Sequence, residues 1–375
     1  MKCPFQYGKV VSAPFFVDRE DEFASIMDHV ESLHNLILYS PRRYGKTSLL
    51  KKVENEILKK NYQVIYIDFF KVTSMQSFLD LFLKEILKMN KKNWNTFLKK
   101  LSTLISGVKP SVSFDMMGNP TFSISYENSE IIPQTFESVI NLTETIKPGQ
   151  KWLVIFDEFQ EIKKLNGDSF EEKLRSVIQL HTNTSYIMSG SRYHMLLDLF
   201  NKPGKAFYQF GKLFKLNKIN RDFMITYIID RFKSTGLIIT YEFASQIIDQ
   251  TDNIPNYVQY LAAEVWFLSY KSNHDIDSET IQNALLNLLD NQSDYFYQIW
   301  DNLSNHQKKT LIAVSLDPSN LYSSDYQSKF NLGAVSSIQR SIEKLLKDEI
   351  LIKENLSFFF NDPIFKQFIK LRITA

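Results

Sequence analysis

Ser40-Pro41-Arg42-Arg43-Tyr44-Gly45-Lys46-Thr47 decides how this chain of 375 residues is read. It follows the GxxxxGK[ST] pattern of a phosphate-binding loop, with Ser40 at the first glycine position. The chemistry sets the spacing. Backbone N–H groups of such a loop, and of the helix that follows it, point at phosphate oxygens. Gly45 lets the backbone come close, Lys46 carries an ammonium to the β- and γ-phosphates, and the Thr47 hydroxyl suits Mg2+. Leu36-Ile37-Leu38-Tyr39 reads as a buried strand before the loop, and Thr47 to Lys59 as a helix after it. Without that context the same eight residues would read as a basic strand-to-helix turn. Ser40 alters the turn but removes neither the charge nor the metal ligand.

Working outward, short apolar runs recur at 64–67, 152–156, 186–188 and 213–216, separated by helical patterns that include 20–34, 133–145 and 169–181. Apolar strands alternating with helices predict a parallel sheet covered on both faces. Residues 109–126 alternate instead around Met117-Gly118-Asn119-Pro120, the pattern of an inserted β-hairpin. Strand signals stop near Asn220, and 221–293 reads as helices. Helical patterns at 305–315, 323–331 and 336–348 then precede two short strands around Glu354-Asn355, the order of a winged helix. The expected division is a core over 1–219, a helical lid over 220–295 and a winged helix over 296–375.

A loop of this kind works with an acidic strand end. Trp152 to Phe156 ends in Asp157-Glu158, about 110 residues after the loop. Asp157 is placed to hold Mg2+ through water, and Glu158 to orient or deprotonate an attacking water. The next strand ends in Ser189-Gly190-Ser191-Arg192. Ser189 or Ser191 is a candidate sensor of a terminal phosphate, and Arg192 a candidate added charge. A serine-rich turn fits the same residues.

Composition narrows the function classes. Forty-four basic against 42 acidic residues leave a net charge of +2, so no chain-wide basic field for nucleic acid exists. The single cysteine, Cys3, excludes an intrachain disulfide framework. No apolar run approaches the ~20 residues of a membrane helix, and Met1 to Lys9 lacks a signal-peptide stretch. The expectation is a cytoplasmic protein with no membrane partner. The abundant Phe and Tyr read as core filling.

The motifs jointly resemble the archaeal and bacterial AAA+/STAND-type P-loop ATPases that carry a GxRRxGKTSLL loop, here Pro41 to Leu50. Phe16-Val17-Asp18-Arg19-Glu20-Asp21-Glu22 is similar to that family's F-x-G-R-E-x-E opening, with Asp18 at the glycine. Phe156 to Ile162, Leu174 to Gln179, and Met188 to Ser191 are similar to its later motifs. Asn253-Ile254-Pro255 is similar to its G-x-P lid motif, and Asp362-Pro363-Ile364-Phe365 to its closing D-P-x-F.

The resemblance implies an AAA+-type P-loop core with a helical lid and a C-terminal winged helix. It implies ATP and ADP as ligands, with Mg2+. Arg19, Pro41, Arg42, Arg43, Tyr44, Gly45, Lys46, Thr47, Ser48 and Pro255 are the implied nucleotide contacts, and Thr47 and Asp157 the metal ligands. Glu158, Lys46, Ser191 and Arg175 are the implied catalytic set, Arg175 as a candidate arginine finger. Arginines common before the fifth strand are replaced by Lys205 and Lys212, which lack the planar fork. Rings and monomers share these motifs, so an oligomer stays open.

Three functions follow as alternatives: an ATPase whose nucleotide state sets lid and winged-helix conformation, a slow STAND-like switch with a protein partner, and an ATPase that binds DNA. For the last, Arg340, Lys344 and Lys347 share one helical face, against Glu343, Asp348 and Glu349 in the same segment.

Overall fold

A computed structural model describes residues 2–11, 15–89, 94–115, 117, 120–126, 133–165, 168–272, 276–354 and 357–374. The expected turn residues Gly118, Asn119 and Asn355 lie outside the described residues. The chain forms two compact units. One comprises Arg19–Ser40 and Lys46–Leu216; the other comprises Met1–Asp18, Pro41–Gly45 and Asn217–Ala375.

The first unit carries strands β1 (Leu36–Tyr39), β2 (Gln63–Asp68), β3 (Val108–Phe114), β4 (Pro120–Tyr126), β5 (Trp152–Asp157), β6 (Thr184–Gly190) and β7 (Lys212–Lys215). Five of them form a parallel sheet in the order β2-β5-β6-β1-β7, with the expected apolar runs as its strands. β5 and β6 are buried at every position, which is why 152–156 and 186–188 read as apolar runs rather than alternations.

Parallel register brings the strand ends to one edge: Asp68 pairs with Asp157, Phe156 with Met188, and Leu38 with Ser189. The chain leaves β1, which lies between β6 and β7, and returns as β2 at the far margin of the sheet. The carboxyl ends beside such a switch in direction are where open α/β sheets bind ligands.

An aromatic cluster fixes this edge from beneath. Phe156 lies 5.5 Å from Phe69 and 5.9 Å from both Phe78 and Phe159, centroid to centroid. The hairpin β3–β4 pairs antiparallel, with Val112 opposite Phe122. One expected helix, 133–145, is two, Pro133–Ile140 and Leu142–Thr145. The break falls at Asn141, whose amide oxygen lies 2.9 Å from His181 Nε2.

The second unit is helical, with a two-stranded wing. One apolar cluster runs from Phe5 and Tyr44 through Met224, Trp266, Phe296, Leu311, Ile342 and Phe365. Six of its helices start at side-chain caps: Asn220, Thr240, Asp277, Ser304, Ser323 and Asp362 each accept from a backbone N–H of the first turn. Helices Asn305–Leu316, Ser324–Phe330 and Val335–Lys347 precede β8 (Leu351–Glu354) and β9 (Ser357–Phe360), which pair antiparallel. The helix Val335–Lys347 buries Ile338, Ile342 and Leu345 and leaves Arg340, Lys344 and Lys347 exposed. Among the described residues, no helix is long and apolar enough to cross a membrane.

Candidate functional site

The carboxyl edge of the sheet gathers a polar cluster in the first unit. Helix Lys46–Lys59 follows the loop directly, and its first turn holds no acidic residue of its own. Lys46 Nζ lies 3.3 Å from Glu158 Oε1, with Lys46 only 6% exposed. The Thr47 hydroxyl donates to Asp157 Oδ2 at 3.4 Å. Four of the residues singled out in the sequence therefore meet, although 110 positions separate Thr47 from Asp157.

Asp157 is held from several sides. The Tyr66 hydroxyl donates to its Oδ2 at 2.6 Å, Ser189 Oγ donates to its Oδ1, and the Glu158 N–H donates to the same Oδ1 at 3.0 Å. Burial first, then the neighbouring Asp157 charge, pushes the Tyr66 phenol far above its usual range, so it stays a donor. The sequence reading missed Tyr66. It sits inside an ordinary apolar strand, and only the pairing of β2 with β5 brings it to Asp157.

Glu158 has left-handed backbone, φ 51° and ψ 42°, an uncommon state for a glutamate. The sharp turn lets the chain leave β5 while Phe159 enters the aromatic cluster and the carboxylate stays at the sheet edge. Ser191 Oγ donates to Glu158 Oε2 at 2.8 Å, and Gln160 Nε2 donates to the same oxygen at 2.6 Å. Both serines of the sensor stretch thus reach acids: Ser189 contacts Asp157, and Ser191 contacts Glu158.

Other predicted residues lie elsewhere. The Arg175 guanidinium stacks 4.5 Å from the centre of the Phe210 ring. Phe210 is tied through its carbonyl to Asn35 Nδ2, just before β1, so this stack belongs to the amino edge of the sheet. Arg192 Nη1 lies 3.6 Å from the buried Glu161, which Lys164 also pairs. Arg19 is 3% exposed and pairs with Glu22 at 2.6 Å. Asp18 and Arg19 both have positive φ, 46° and 89°, so Asp18 takes a conformation that glycine adopts without strain. Ser48 is buried on the first turn of its helix.

The tip of the phosphate loop belongs to the second unit, and its side chains bind carboxylates there. Arg42 pairs with Glu349 at 3.1 Å, Arg43 with Asp362 at 3.3 Å, and the Tyr44 hydroxyl with Glu354 at 3.4 Å. The Arg43 guanidinium also stacks 4.5 Å from the Tyr257 ring centre, and its carbonyl accepts the Asn256 N–H at 3.4 Å. Pro255 opens that helix, Pro255–Ser272. These side chains therefore anchor the loop within the second unit.

The residues fit a nucleotide phosphate with a hard cation. Gly45 has φ +91°, and a Cβ there would meet nothing within 4 Å, so the loop is open where phosphate would enter. An aliphatic hydroxyl beside a carboxylate is an oxygen donor pair suited to Mg2+. A strand ending in two acids beside a lysine-bearing loop, at the carboxyl edge of this sheet order, settles the architecture.

The fold is that of a P-loop ATPase. Residues 16–192 match the family described as "ATPase domain predominantly from Archaea", and residues 294–371 match a "probable winged helix domain". Two uncharacterized ATP-binding proteins of Methanocaldococcus jannaschii are similar to this chain. One is 27% identical over 167 residues, covering 41% of this chain and 42% of its own. The other is 29% identical over 154 residues, covering 40% of each. The chain thus spans about two fifths of the length of these relatives.

Among solved structures, a Walker-type ATPase of Pyrococcus abyssi aligns with a TM-score of 0.67 and 16% identity, over 98% of this chain and 100% of that one. The ORC2 protein of Aeropyrum pernix, in its ADPNP–ADP complexes, aligns at 0.57 and 12% identity, over 99% and 100%. At such identities the likeness establishes the P-loop ATPase fold and nothing finer.

Proposed function

We propose that the chain binds ATP with Mg2+ and hydrolyses it to ADP and phosphate. The observation that carries this reading is the meeting of Lys46 with Glu158 and of Thr47 with Asp157 at one sheet edge. The names of the Methanocaldococcus relatives as ATP-binding proteins, and the nucleotide complexes of ORC2, support the choice of ligand.

In this reading, backbone N–H groups of residues 42–45 and of the first helical turn cradle the phosphates. Lys46 leaves Glu158 and neutralises charge on the β- and γ-phosphates. Thr47 would hold Mg2+ directly and Asp157 through water, and the ion would supply charge neutralisation on the phosphate oxygens. Tyr66 and Ser189 keep the Asp157 carboxylate oriented. Glu158, released from Lys46, takes the proton of a water as its oxygen bonds to the γ-phosphorus and the bond to the ADP oxygen breaks. Ser191 holds the Glu158 carboxylate and would be the sensor of the terminal phosphate. Arg175, stacked on Phe210, keeps a place only as a candidate finger toward a second copy.

Nucleotide state would reach the lid and winged helix through the loop itself. Residues 41–45 are tied to Asn256, Tyr257, Glu349, Glu354 and Asp362, and the next residue is Lys46. The same tether favours a second reading, a slow STAND-like switch that turns over when a protein partner loosens these contacts. DNA binding remains a third reading. The ORC1 protein of Aeropyrum pernix, solved in complex with DNA, shares the fold at a TM-score of 0.50 and 10% identity. On this chain, however, Lys344 is paired with Asp348 at 2.8 Å and Arg340 bonds the Ser336 carbonyl.

Phosphate release by the purified chain, with and without duplex DNA and with Lys46→Ala as control, tests these readings. Basal Lys46-dependent turnover supports the ATPase. Tight, Lys46-dependent binding with negligible turnover supports the switch. Stimulation by DNA that falls with salt and with charge reversal at Arg340 and Lys344 supports the third reading.

A further inference from the structure

We infer that Gln160 is the positioning residue for the Glu158 carboxylate, and that Gly190 is a glycine to make room for it. The inference rests on the proposed role of Glu158 as the base and adds a residue that the phosphate-loop motifs do not mark.

Gln160 is completely buried, two residues beyond the acidic pair. Its Nε2 donates to Glu158 Oε2 at 2.6 Å, the same oxygen that takes the Ser191 hydroxyl at 2.8 Å. Lys46 approaches the other oxygen, Oε1, at 3.3 Å. The division matters chemically. A phosphate that draws Lys46 away frees Oε1 alone, while Oε2 stays pinned by two donors. One oxygen is then fixed and one is presented to water, which is the geometry a general base needs. Turned the other way, the Gln160 amide would set its own oxygen against the carboxylate, so the donor orientation is dictated by charge.

Two further observations show that this glutamine is not ordinary core packing. Its Oε1 is buried with no hydrogen-bond partner, a cost that an aliphatic side chain in the same space would not carry. The surroundings are also cut to fit it. A Cβ at Gly190 would lie 2.0 Å from Gln160 Oε1, 3.2 Å from its Cδ and 2.8 Å from Leu196 Cδ1. Gly190 is not among the positive-φ glycines, so space rather than backbone freedom explains it. Phe159, packed 5.2 Å from Phe69 and 5.1 Å from Phe207, then fixes the turn that sends Gln160 back under Glu158.

The test uses the full chain, with ATP turnover, ATP affinity and thermal midpoint measured on Gln160→Leu, Gln160→Glu, Gly190→Ala and Glu158→Gln. Gln160→Leu is expected to lower kcat by about 10- to 100-fold, as loss of an orienting partner does at other sites. KM and ATP affinity are expected to stay within about two-fold, because the phosphate ligands are untouched. Its thermal midpoint is expected at or above that of the parent. Gln160→Glu sets a second carboxylate against Glu158, so the acid limb of the pH–rate profile moves to higher pH. Gly190→Ala displaces the glutamine and repeats the kcat loss, and adding Gln160→Leu to it costs little more.

A Gln160→Leu enzyme with parental kcat, beside a dead Glu158→Gln, overturns the role of Gln160 and leaves the role of Glu158 standing. A Glu158→Gln enzyme with parental turnover overturns both. A fall in thermal midpoint with kcat unchanged makes Gln160 a structural residue and also overturns the inference.

Discussion

Arg43 Nη1 lies 3.3 Å from Asp362 Oδ2, so the tip of the phosphate loop is bound to the closing Asp-Pro motif of the chain. Asp362 also caps the helix Pro363–Phe368, accepting the N–H groups of Ile364 at 2.9 Å and Phe365 at 3.2 Å. Desolvation raises its pKa, and the Arg43 charge pulls the other way. Two elements at opposite ends of the sequence share one carboxylate.

That sharing gives unequal mutational costs. Asp362→Ala removes a helix cap and leaves Arg43 without its anion, so a loss of roughly 1–2 kcal/mol in denaturant unfolding is expected. Arg43→Ala breaks a half-exposed ion pair, and about 1 kcal/mol or less is expected. The double variant should cost less than the sum. Additive losses would mean that the two side chains do not act on each other.

Tyr66→Phe removes one donor to Asp157 and nothing else. The expected effect is on the metal: the Mg2+ concentration for half-maximal turnover should rise by about 10-fold, with ATP affinity in saturating Mg2+ little changed. A Mg2+ titration of phosphate release reads this directly. An unchanged half-saturation would place Asp157 outside the metal's shell.

Arg175→Ala loses a cation–π stack on Phe210, worth about 0.5–1 kcal/mol at a partly exposed site. Stability should fall by that order while turnover of dilute protein stays near parental. A large kcat loss that deepens with protein concentration would instead assign Arg175 to a neighbouring copy's site.

The acid side of the stability profile should report His181. Burial holds its imidazole below the usual range, partly opposed by Glu144. The unfolded chain therefore takes up a proton that the folded chain resists. Above about pH 6.5 the residue adds no slope; as pH falls below that value, folded stability drops until the lower folded pKa is reached. Glu144 adds a later loss in the same direction. Burial alone would raise its pKa, but hydrogen bonds from Thr184 and Asn183 outweigh this and hold it below the usual range. Its stabilisation is present above the unfolded pKa and is lost as pH falls through the folded one. Denaturant midpoints between pH 7.5 and 5.5 should decline in the parent and decline less in His181→Gln. Equal slopes would contradict the assignment.

Much of this was legible in the sequence, and the parts that were not share a physical reason. Strand β5 is a short apolar run because it is buried at every position, and Lys46, Thr47, Asp157 and Glu158 meet at the edge where the parallel strands end. What escaped depends on cross-chain register. Tyr66 reads as strand packing until β2 is paired with β5. Gln160 lies inside the stretch Phe156 to Ile162 without a role of its own until the left-handed turn at Glu158 brings its amide to the carboxylate. The family resemblance implies Arg42 and Arg43 as nucleotide contacts, and their guanidinium groups face Glu349 and Asp362, more than 300 residues away. No local pattern announces a partner at that separation.

The most direct test of the central claim pairs two measurements on Glu158→Gln: equilibrium binding of ATP with Mg2+, and phosphate release under saturating ATP. Binding should match the parent while turnover falls by about 100-fold or more, with Lys46→Ala losing both. A Glu158→Gln chain that hydrolyses ATP as fast as the parent would contradict the account.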